Sequence, residues 1–426
     1  MSEVQETEEL PRALLIAITN QSQGKEMATG HIEELKELTR TFGAETVDSV
    51  IVPLRKYDAA TFFGSGKVAE LVEQAAELGV DVVILDEEIS PAQQRNLEKA
   101  FKLTVMDRTE LIIAVFAASA HTREAKLQVE LAEMKYQLPR LKRLWTHLHR
   151  QTGSGGSGKF LKGEGEKQIE IDRRILNTKI AKLETEIKTV TKQRETGRVL
   201  RKRNAIPTFA IIGYTNAGKS TLLNALTGAE VLIEDKLFAT LDTTTRKLQL
   251  PNNQESLLID TVGFIRKLPH QLVASFKSTL EESMEADILL HLIDVSDPFA
   301  HEHADAAAAV LQELNVENKP VITVLNKIDQ LDDPSKLIYF KTKFPRIVAI
   351  SAGKKEGFEG LLQSMMDGLK ELRTEVRLRI PQSEFHHVSA VLSKGEVLHQ
   401  EYEENDVLLR AVLPNEIAEK LSVFQY

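Results

Sequence analysis

Apolar and polar positions alternate along this chain in rhythms that change about three times. From about Arg12 to Ala118, short β-rich runs at Ala13–Thr19, Thr46–Leu54 and Val80–Leu85 are separated by helical patterns at His31–Thr41 and Lys67–Leu78. The alternation predicts an α/β layer domain over residues 1–118, with Val80–Leu85 a buried parallel strand. From about Ser119 the period becomes that of a heptad. Leu127, Leu131, Met134, Leu138, Leu141, Trp145 and Leu148 recur at alternating steps of four and three, and Leu176, Ile180, Leu183, Ile187 and Val190 form a second seam. Pro139 interrupts the first seam and predicts a kink. Between the seams lies a glycine-rich stretch, 153–158, so residues 119–203 read as an antiparallel helical hairpin with a flexible tip. Over 204–373 the strand–helix alternation returns, with strands expected at Phe209–Ile212, Ser256–Ile259, Ile288–Val295, Val321–Leu325 and Ile347–Ile350. This is the pattern of a doubly wound parallel sheet. Residues 374–426 read as a small α+β domain, with strands at Glu375–Ile380, His387–Leu392 and Val407–Val412 and a last helix at Glu416–Phe424.

Composition narrows the class. Of 426 residues, 42% are hydrophobic and 27% charged, as in ordinary globular domains. With no cysteine there is no disulfide framework, thiolate metal site or catalytic thiol. Met1–Glu9 is acidic and polar, unlike a secretory leader, and no apolar run approaches the ~20 residues that span a bilayer. The expected location is the cytoplasm, and a monomer is expected. Charge is distributed unevenly. Arg140–Arg203 holds 18 Lys/Arg against 7 Asp/Glu, a balance of +11, which leaves −20 for the rest of a chain whose net charge is −9. Arg150, Lys159, Lys162 and Lys167 surround the hairpin tip, making it a candidate probe for folded nucleic acid. A plain linker is the competing reading of the glycines.

The chemistry concentrates in the third region. Gly213-Tyr214-Thr215-Asn216-Ala217-Gly218-Lys219-Ser220 is a complete G-x-x-x-x-G-K-[ST] loop, entered by a strand and left by the helix beginning at Thr221. Glycines let backbone N–H groups close on phosphate oxygens, and the helix N-terminus adds partial positive charge. Lys219 can reach the β- and γ-phosphates, and the Ser220 hydroxyl can ligate Mg²⁺. Asp260-Thr261-Val262-Gly263 follows a strand. Its carboxylate can hold Mg²⁺ through water, and the Gly263 amide can meet the γ-phosphate. Asn326-Lys327-Ile328-Asp329 follows another strand, and an Asp carboxylate there matches the guanine N1–H and exocyclic amine, which adenine lacks on that edge. Ser351-Ala352-Gly353 can offer backbone to guanine O6. Singly, each has a bland reading as a turn. Together, in this order at strand ends, they predict GTP or GDP as the bound nucleotide, Mg²⁺ as cofactor, and hydrolysis of GTP. By contrast, Phe63-Gly64-Ser65-Gly66-Lys67 lacks the full loop length and the hydroxyl after lysine. It reads as a turn into a helix. Use of ATP as well is left open.

Phe238-Ala239-Thr240-Leu241-Asp242-Thr243-Thr244-Thr245-Arg246 offers four threonines for a magnesium ligand, and spacing does not choose among them. Phe264 stands where Ras-type GTPases carry a water-orienting glutamine, so hydrolysis should need help from a partner or another loop. Arg246 and Arg266 are candidates for charge stabilisation.

The loop Gly213–Ser220, the run Leu237–Asp242, Asp260-Thr261-Val262-Gly263-Phe264-Ile265 and Asn326–Asp329 resemble the HflX family of bacterial GTPases. So does the order of α/β domain, glycine-tipped hairpin and nucleotide domain, with Gly163-Glu164-Gly165-Glu166 and Ile169–Arg174 similar to the family's glycine-rich segment and following helix. The likeness covers about residues 12–375. It implies binding to the large ribosomal subunit and its RNA through the N-terminal domain and hairpin, splitting of stalled or vacant ribosomes in the GTP state, and release after hydrolysis. It also implies that Thr240 is the magnesium-ligating threonine, alongside Ser220, and that ribosomal subunits stimulate GTP turnover. Two positions depart from the family: Asp242-Thr243-Thr244-Thr245 replaces an Asp-Pro-Thr-Thr, and the tip carries Lys159-Phe160-Leu161-Lys162 where Arg and Pro are usual. A protein-pairing hairpin on a regulatory GTP-binding module and a tRNA-modifying GTPase are the alternatives.

Overall fold

A computed structural model describes residues 10–19, 25–141, 162–203, 206–228, 237–238, 243–267, 285–313, 319–331, 333 and 335–426. The chain forms two compact units. The first comprises Met1–Val190 with Ile233–Asp242 and Val262–Leu280; the second comprises Thr191–Leu232, Thr243–Thr261 and Glu281–Tyr426.

The first unit is built on a four-stranded parallel sheet ordered β2-β1-β3-β4, from β1 (Arg12–Thr19), β2 (Glu45–Pro53), β3 (Val82–Leu85) and β4 (Thr104–Asp107). Every residue of β3 is buried, as a central parallel strand requires. Helices α1 (Lys25–Phe42), α2 (Ser65–Leu78), α3 (Pro91–Phe101) and α4 (Arg108–Ser119) complete the layers. The expected elements are present, and α3, β4 and α4 are added to them. Ser90 starts α3 with a reciprocal capping box to Gln93 and a proline at the first helical position. In the glycine-rich stretch Phe63–Lys67, Gly64 is the N-cap of α2 and Ser65, Gly66 and Lys67 begin the helix, with Lys67 paired to Glu70 at 2.6 Å on its surface.

The hairpin consists of α5 (Arg123–Gln137), a short 3₁₀ turn at Leu138–Arg140 that places Pro139 where the helix breaks, and α6 (Lys162–Arg203). Pairs Glu130–Lys179 (2.7 Å) and Arg123–Glu186 (3.9 Å) run in opposite chain directions, so the helices are antiparallel. Along α6, Leu183 is buried and Leu176, Ile180, Ile187 and Val190 are half-buried, while Ile171 and Ile175 are exposed: the seam faces inward as its period demands. Trp145, Leu148, Arg150 and the tip from 151 to 161, including Lys159, lie outside the described residues, as does the side chain of Lys162. A buried polar network fixes the hairpin's base. Arg140 donates to Asp107 (3.1 Å), Gln94 (3.0 Å) and the Ile89 carbonyl (2.8 Å), and its guanidinium lies 3.7 Å over the Tyr136 ring.

A second buried network in this unit is built mainly on ion pairs. Arg108 donates to Asp86 (2.7 Å) and Glu34 (2.9 Å), and Arg266 donates to the same two carboxylates (2.7 and 3.4 Å). Arg108 also donates to the Arg266 carbonyl at 3.0 Å. Burial alone would raise the Asp86 carboxyl, but Arg108, Arg266 and Lys267 together hold it below the usual carboxylate range.

The second unit contains a six-stranded sheet ordered β10-β9-β8-β5-β7-β6, from β5 (Thr208–Gly213), β6 (Thr244–Gln249), β7 (Glu255–Asp260), β8 (Ile288–Asp294), β9 (Val321–Asn326) and β10 (Ile347–Ala349). All neighbours are parallel except β6, which runs antiparallel to β7 at the edge. Helices α7 (Lys219–Thr227), α8 (Ala300–Glu313), α9 (Lys336–Lys343) and α10 (Phe358–Glu371) accompany it. Phe209, Ile211, Leu222, Leu258, Leu290, Ile322 and Leu361 form the core.

The C-terminal sheet is antiparallel, ordered β11-β13-β12, from β11 (Arg373–Pro381), β12 (Glu396–Glu403) and β13 (Asp406–Pro414). Here one expectation fails. His387–Leu392 is not a strand but part of helix α11 (Phe385–Lys394). Its valines suggest β-structure, yet Val388 and Val391 are both fully buried, and their three-residue spacing places them on one helical face. The last helix is shorter than expected: α12 (Asn415–Lys420) gives way to a 3₁₀ turn at Ser422–Phe424. Among the described residues, no helix is long and apolar enough to cross a membrane.

Candidate functional site

The carboxyl ends of β5, β7, β8 and β9 lie at one rim of the six-stranded sheet, where open parallel sheets bind ligands. β5 delivers the chain into 214–218, and α7 leaves it from Lys219. Gly218 adopts φ +93° as it enters the helix, and a Cβ there would overlap the Asn326 amide. A Cβ on Gly213 would overlap the Leu292 carbonyl oxygen. Both positions therefore exclude any larger residue, which lets the loop pack closely against β8 and Asn326.

Lys219 is buried at the start of α7, its ammonium donating to the carbonyls of Tyr214 (2.7 Å) and Gly213 (3.2 Å). Burial pulls the amine down to about 8, with the Asp260 carboxylate partly opposing the fall. Ser220 donates to Asp260 at 2.6 Å, and Thr261 donates to the Ile211 carbonyl at 2.7 Å, locking the end of β7 against β5. A hydroxyl and a carboxylate at this separation, both hard oxygen donors beside a phosphate loop, suit the ligand demands of Mg²⁺.

At the end of β9, Asn326 braces two loops: its amide donates to the Ala217 carbonyl (2.8 Å) and its carbonyl accepts from the Ala352 amide (2.9 Å). This joins the phosphate loop to Ser351-Ala352-Gly353. Lys327 adopts a left-handed backbone (φ +62°) and pairs with Asp294 at 2.7 Å. Ile328 and Asp329 form a 3₁₀ turn. A hydrogen bond from the Ser351 hydroxyl, with Lys354 nearby, holds Asp329 below its ordinary carboxyl range, so it stands ionised as an acceptor.

The second unit thus gathers Gly213–Thr221, Asp260, Thr261, Asn326–Asp329 and Ser351–Gly353. Val262, Gly263 and Phe264 group with the first unit, as do Leu237 and Phe238. Phe264 is buried, and Phe238 packs on Phe116 of α4 with ring centroids 4.4 Å apart. Ala239, Thr240, Leu241 and Asp242 lie outside the described residues. Thr244, Thr245 and Arg246 belong to strand β6 instead of a loop. Arg246 is exposed, and Arg266 is engaged by Asp86 and Glu34. Asp294 escaped the sequence reading although its position at a strand end on the binding rim was a signal.

This fold and rim define a P-loop GTPase domain. Three stretches match family models: residues 29–117 one described as GTP-binding GTPase N-terminal, 119–201 one described as GTP-binding GTPase Middle Region, and 208–327 one described as 50S ribosome-binding GTPase. The chain is 46% identical to the GTPase HflX of Chlamydia pneumoniae over 97% of its own length and 88% of that protein. It is 42% identical to the GTPase HflX of Escherichia coli K12, covering 83% of this chain and 82% of that one. A crystal structure of a GTP-binding protein from Sulfolobus solfataricus in complex with GDP is 25% identical, with a TM-score of 0.45, over 85% of this chain and 100% of that one. The chain belongs to the HflX family of GTPases and is a GTP-binding GTPase.

Proposed function

We propose that this GTPase binds the large ribosomal subunit through its N-terminal domain and hairpin, separates stalled or vacant ribosomes into subunits in the GTP state, and leaves after hydrolysis. The observation that carries the reading is the concentration of charge. A +11 hairpin segment on a chain that is otherwise strongly acidic gives oriented attachment to a phosphate-dense partner. Family membership supports the same partner.

Within the nucleotide site, the amides of Tyr214–Lys219 and the Lys219 ammonium bind the phosphates. Asp329 selects guanine, with Ser351–Gly353 beside it. Ser220 and Thr240 directly, and Asp260 through water, would hold Mg²⁺, which when bound neutralises charge between the β- and γ-phosphates. The Gly263 amide meets the γ-phosphate. Phe264 carries no group able to orient water, so efficient turnover depends on what the ribosomal subunit supplies. The proposed setting is the cytoplasm, and the working form a monomer.

The test is GTP turnover with and without isolated large subunits, for the parent chain and for Lys159→Glu/Lys162→Glu. Stimulation should vanish in the double variant while nucleotide binding persists, and attachment should weaken steeply with salt. Full stimulation in that variant, or none in the parent, would overturn the reading.

A further inference from the structure

The second residue of the phosphate loop is held from outside the loop. Tyr214 is buried, and its ring lies flat against that of His303 on α8, with centroids 3.8 Å apart and planes 9° from parallel. His303 is itself placed by the turn that follows β8. Asp297 accepts from the Phe299 amide at 2.7 Å as α8 begins, and its other oxygen lies 3.6 Å from His303 Nδ1. Behind the stack is a cavity of about 50 Å³ whose lining includes Tyr214, Thr215, His291, Asp294, Asp297 and His303. Among the described residues the buried Thr215 hydroxyl has no hydrogen-bond partner, and a polar cavity of this size has room for water that would satisfy it. His291 is neutral, burial having driven it down to about 4 with Lys343 adding to the fall.

We infer that His303 is a positioning residue for the phosphate loop, acting through the Tyr214 ring to fix the carbonyl on which Lys219 rests. Three facts support this chain of contacts. The Tyr214 carbonyl is the closer of the two acceptors of the Lys219 ammonium, at 2.7 Å. Rotation of the Tyr214 peptide would carry that carbonyl away, and the stack opposes such rotation. Tyr214 and His303 both line the small cavity beside the loop, so the stack is one of the contacts that support the loop on that side. The inference rests on residues 213–220 being the phosphate loop. It concerns how the loop is preorganised, not which nucleotide it takes.

The experiment follows release of a fluorescent (mant) GDP from the full-length chain by stopped flow, together with steady-state GTP turnover. His303→Ala and His303→Leu, neither able to stack, should each speed release and raise KM by roughly 3- to 10-fold, leaving kcat within about twofold. His303→Phe keeps a flat ring without a charge and should restore parent behaviour, which a merely structural histidine would not predict. In the background of Tyr214→Ala, adding His303→Ala should change little, because the contact is already lost. Release from both non-stacking variants at the parent rate, or effects of the two residues that multiply independently, would overturn the inference. A parent chain that binds no mant-GDP would remove the phosphate-loop assignment and this inference with it, an outcome distinct from the other two.

Discussion

Ser220 and Asp260, forty residues apart, meet at 2.6 Å with the hydroxyl donating to the carboxylate. One lies in the first turn of a helix and the other ends a strand, and their contact brings two hard oxygen donors together beside the loop that starts at Gly213. An ion that takes oxygen ligands would replace this hydrogen bond with two coordination partners, one of them through water. Ser220→Ala should lower turnover by at least ~100-fold and shift its magnesium dependence to higher concentration. Magnesium titration of GTP hydrolysis checks this, and an unshifted curve counts against the assignment.

Asp329 is ionised and accepts the Ser351 hydroxyl. Asp329→Asn replaces one acceptor oxygen with a donor, which faces the guanine N1–H and amine with the wrong polarity. GTP affinity should fall by roughly 100-fold while xanthosine triphosphate, which keeps the N1–H but carries a carbonyl acceptor where guanine has its amine, gains. Competition binding with GTP, ATP and XTP measures the exchange, and an unchanged order of preference would remove the role.

Lys219 offers a prediction with a definite sign. Burial lowers its amine to about 8 in the nucleotide-free chain, while phosphate oxygens favour the charged form. Binding at pH 8 should therefore take up about half a proton per site, falling towards zero at pH 6, where the amine is already charged. Calorimetry of GDP binding in buffers of different ionisation enthalpy reads this number. In the empty protein the depressed amine penalises the fold below about pH 8, so stability should rise as pH climbs from 8 towards the ordinary lysine range. Lys219→Met should flatten that slope.

Arg140 joins the hairpin to the α/β domain through Asp107. Burial raises the Asp107 carboxyl to about 6, although the Glu110 amide and Arg140 oppose the rise. Arg140→Met would leave that carboxylate without its cation and destabilise the region by about 3–5 kcal/mol. Hydrogen exchange in peptides spanning Ile89 and Asp107 should accelerate, while exchange in β9 and β10 stays at the parent rate. Unchanged protection at Ile89 would show the ion pair to be dispensable.

The nucleotide site was the most legible part of this chain because its chemistry is local. Gly218, Lys219 and Ser220 must be consecutive to pass from loop to helix, and Asp260 and Asn326 must end strands. The hairpin seams were equally plain, since a heptad repeats its message many times. Strand β12 was not foreseen. Its residues are mostly exposed on both faces, so it carries no alternation of apolar and polar positions. The edge strand β6 was hidden for the same reason, its threonines and arginine serving a loop or a strand equally well. The helix over Phe385–Lys394 was misread because β-branched content outweighed a spacing that only two valines carry. The Arg108–Asp86–Glu34–Arg266 network was beyond sequence reading altogether: Asp86 and Arg266 are 180 residues apart, and charges offer no periodicity.

The two compact units do not follow the order of the chain. Phe238 rests on Phe116, and Arg266 rests on Asp86, though each sits in a stretch whose sequence neighbours on both sides belong elsewhere. Expressing residues 204–373 alone would therefore yield a polypeptide whose sheet is intact but whose Leu237–Phe238 and Arg266–Lys267 have lost their cradle. Kinetic constants taken from such a fragment would describe a different molecule from the one in which these two stretches are anchored.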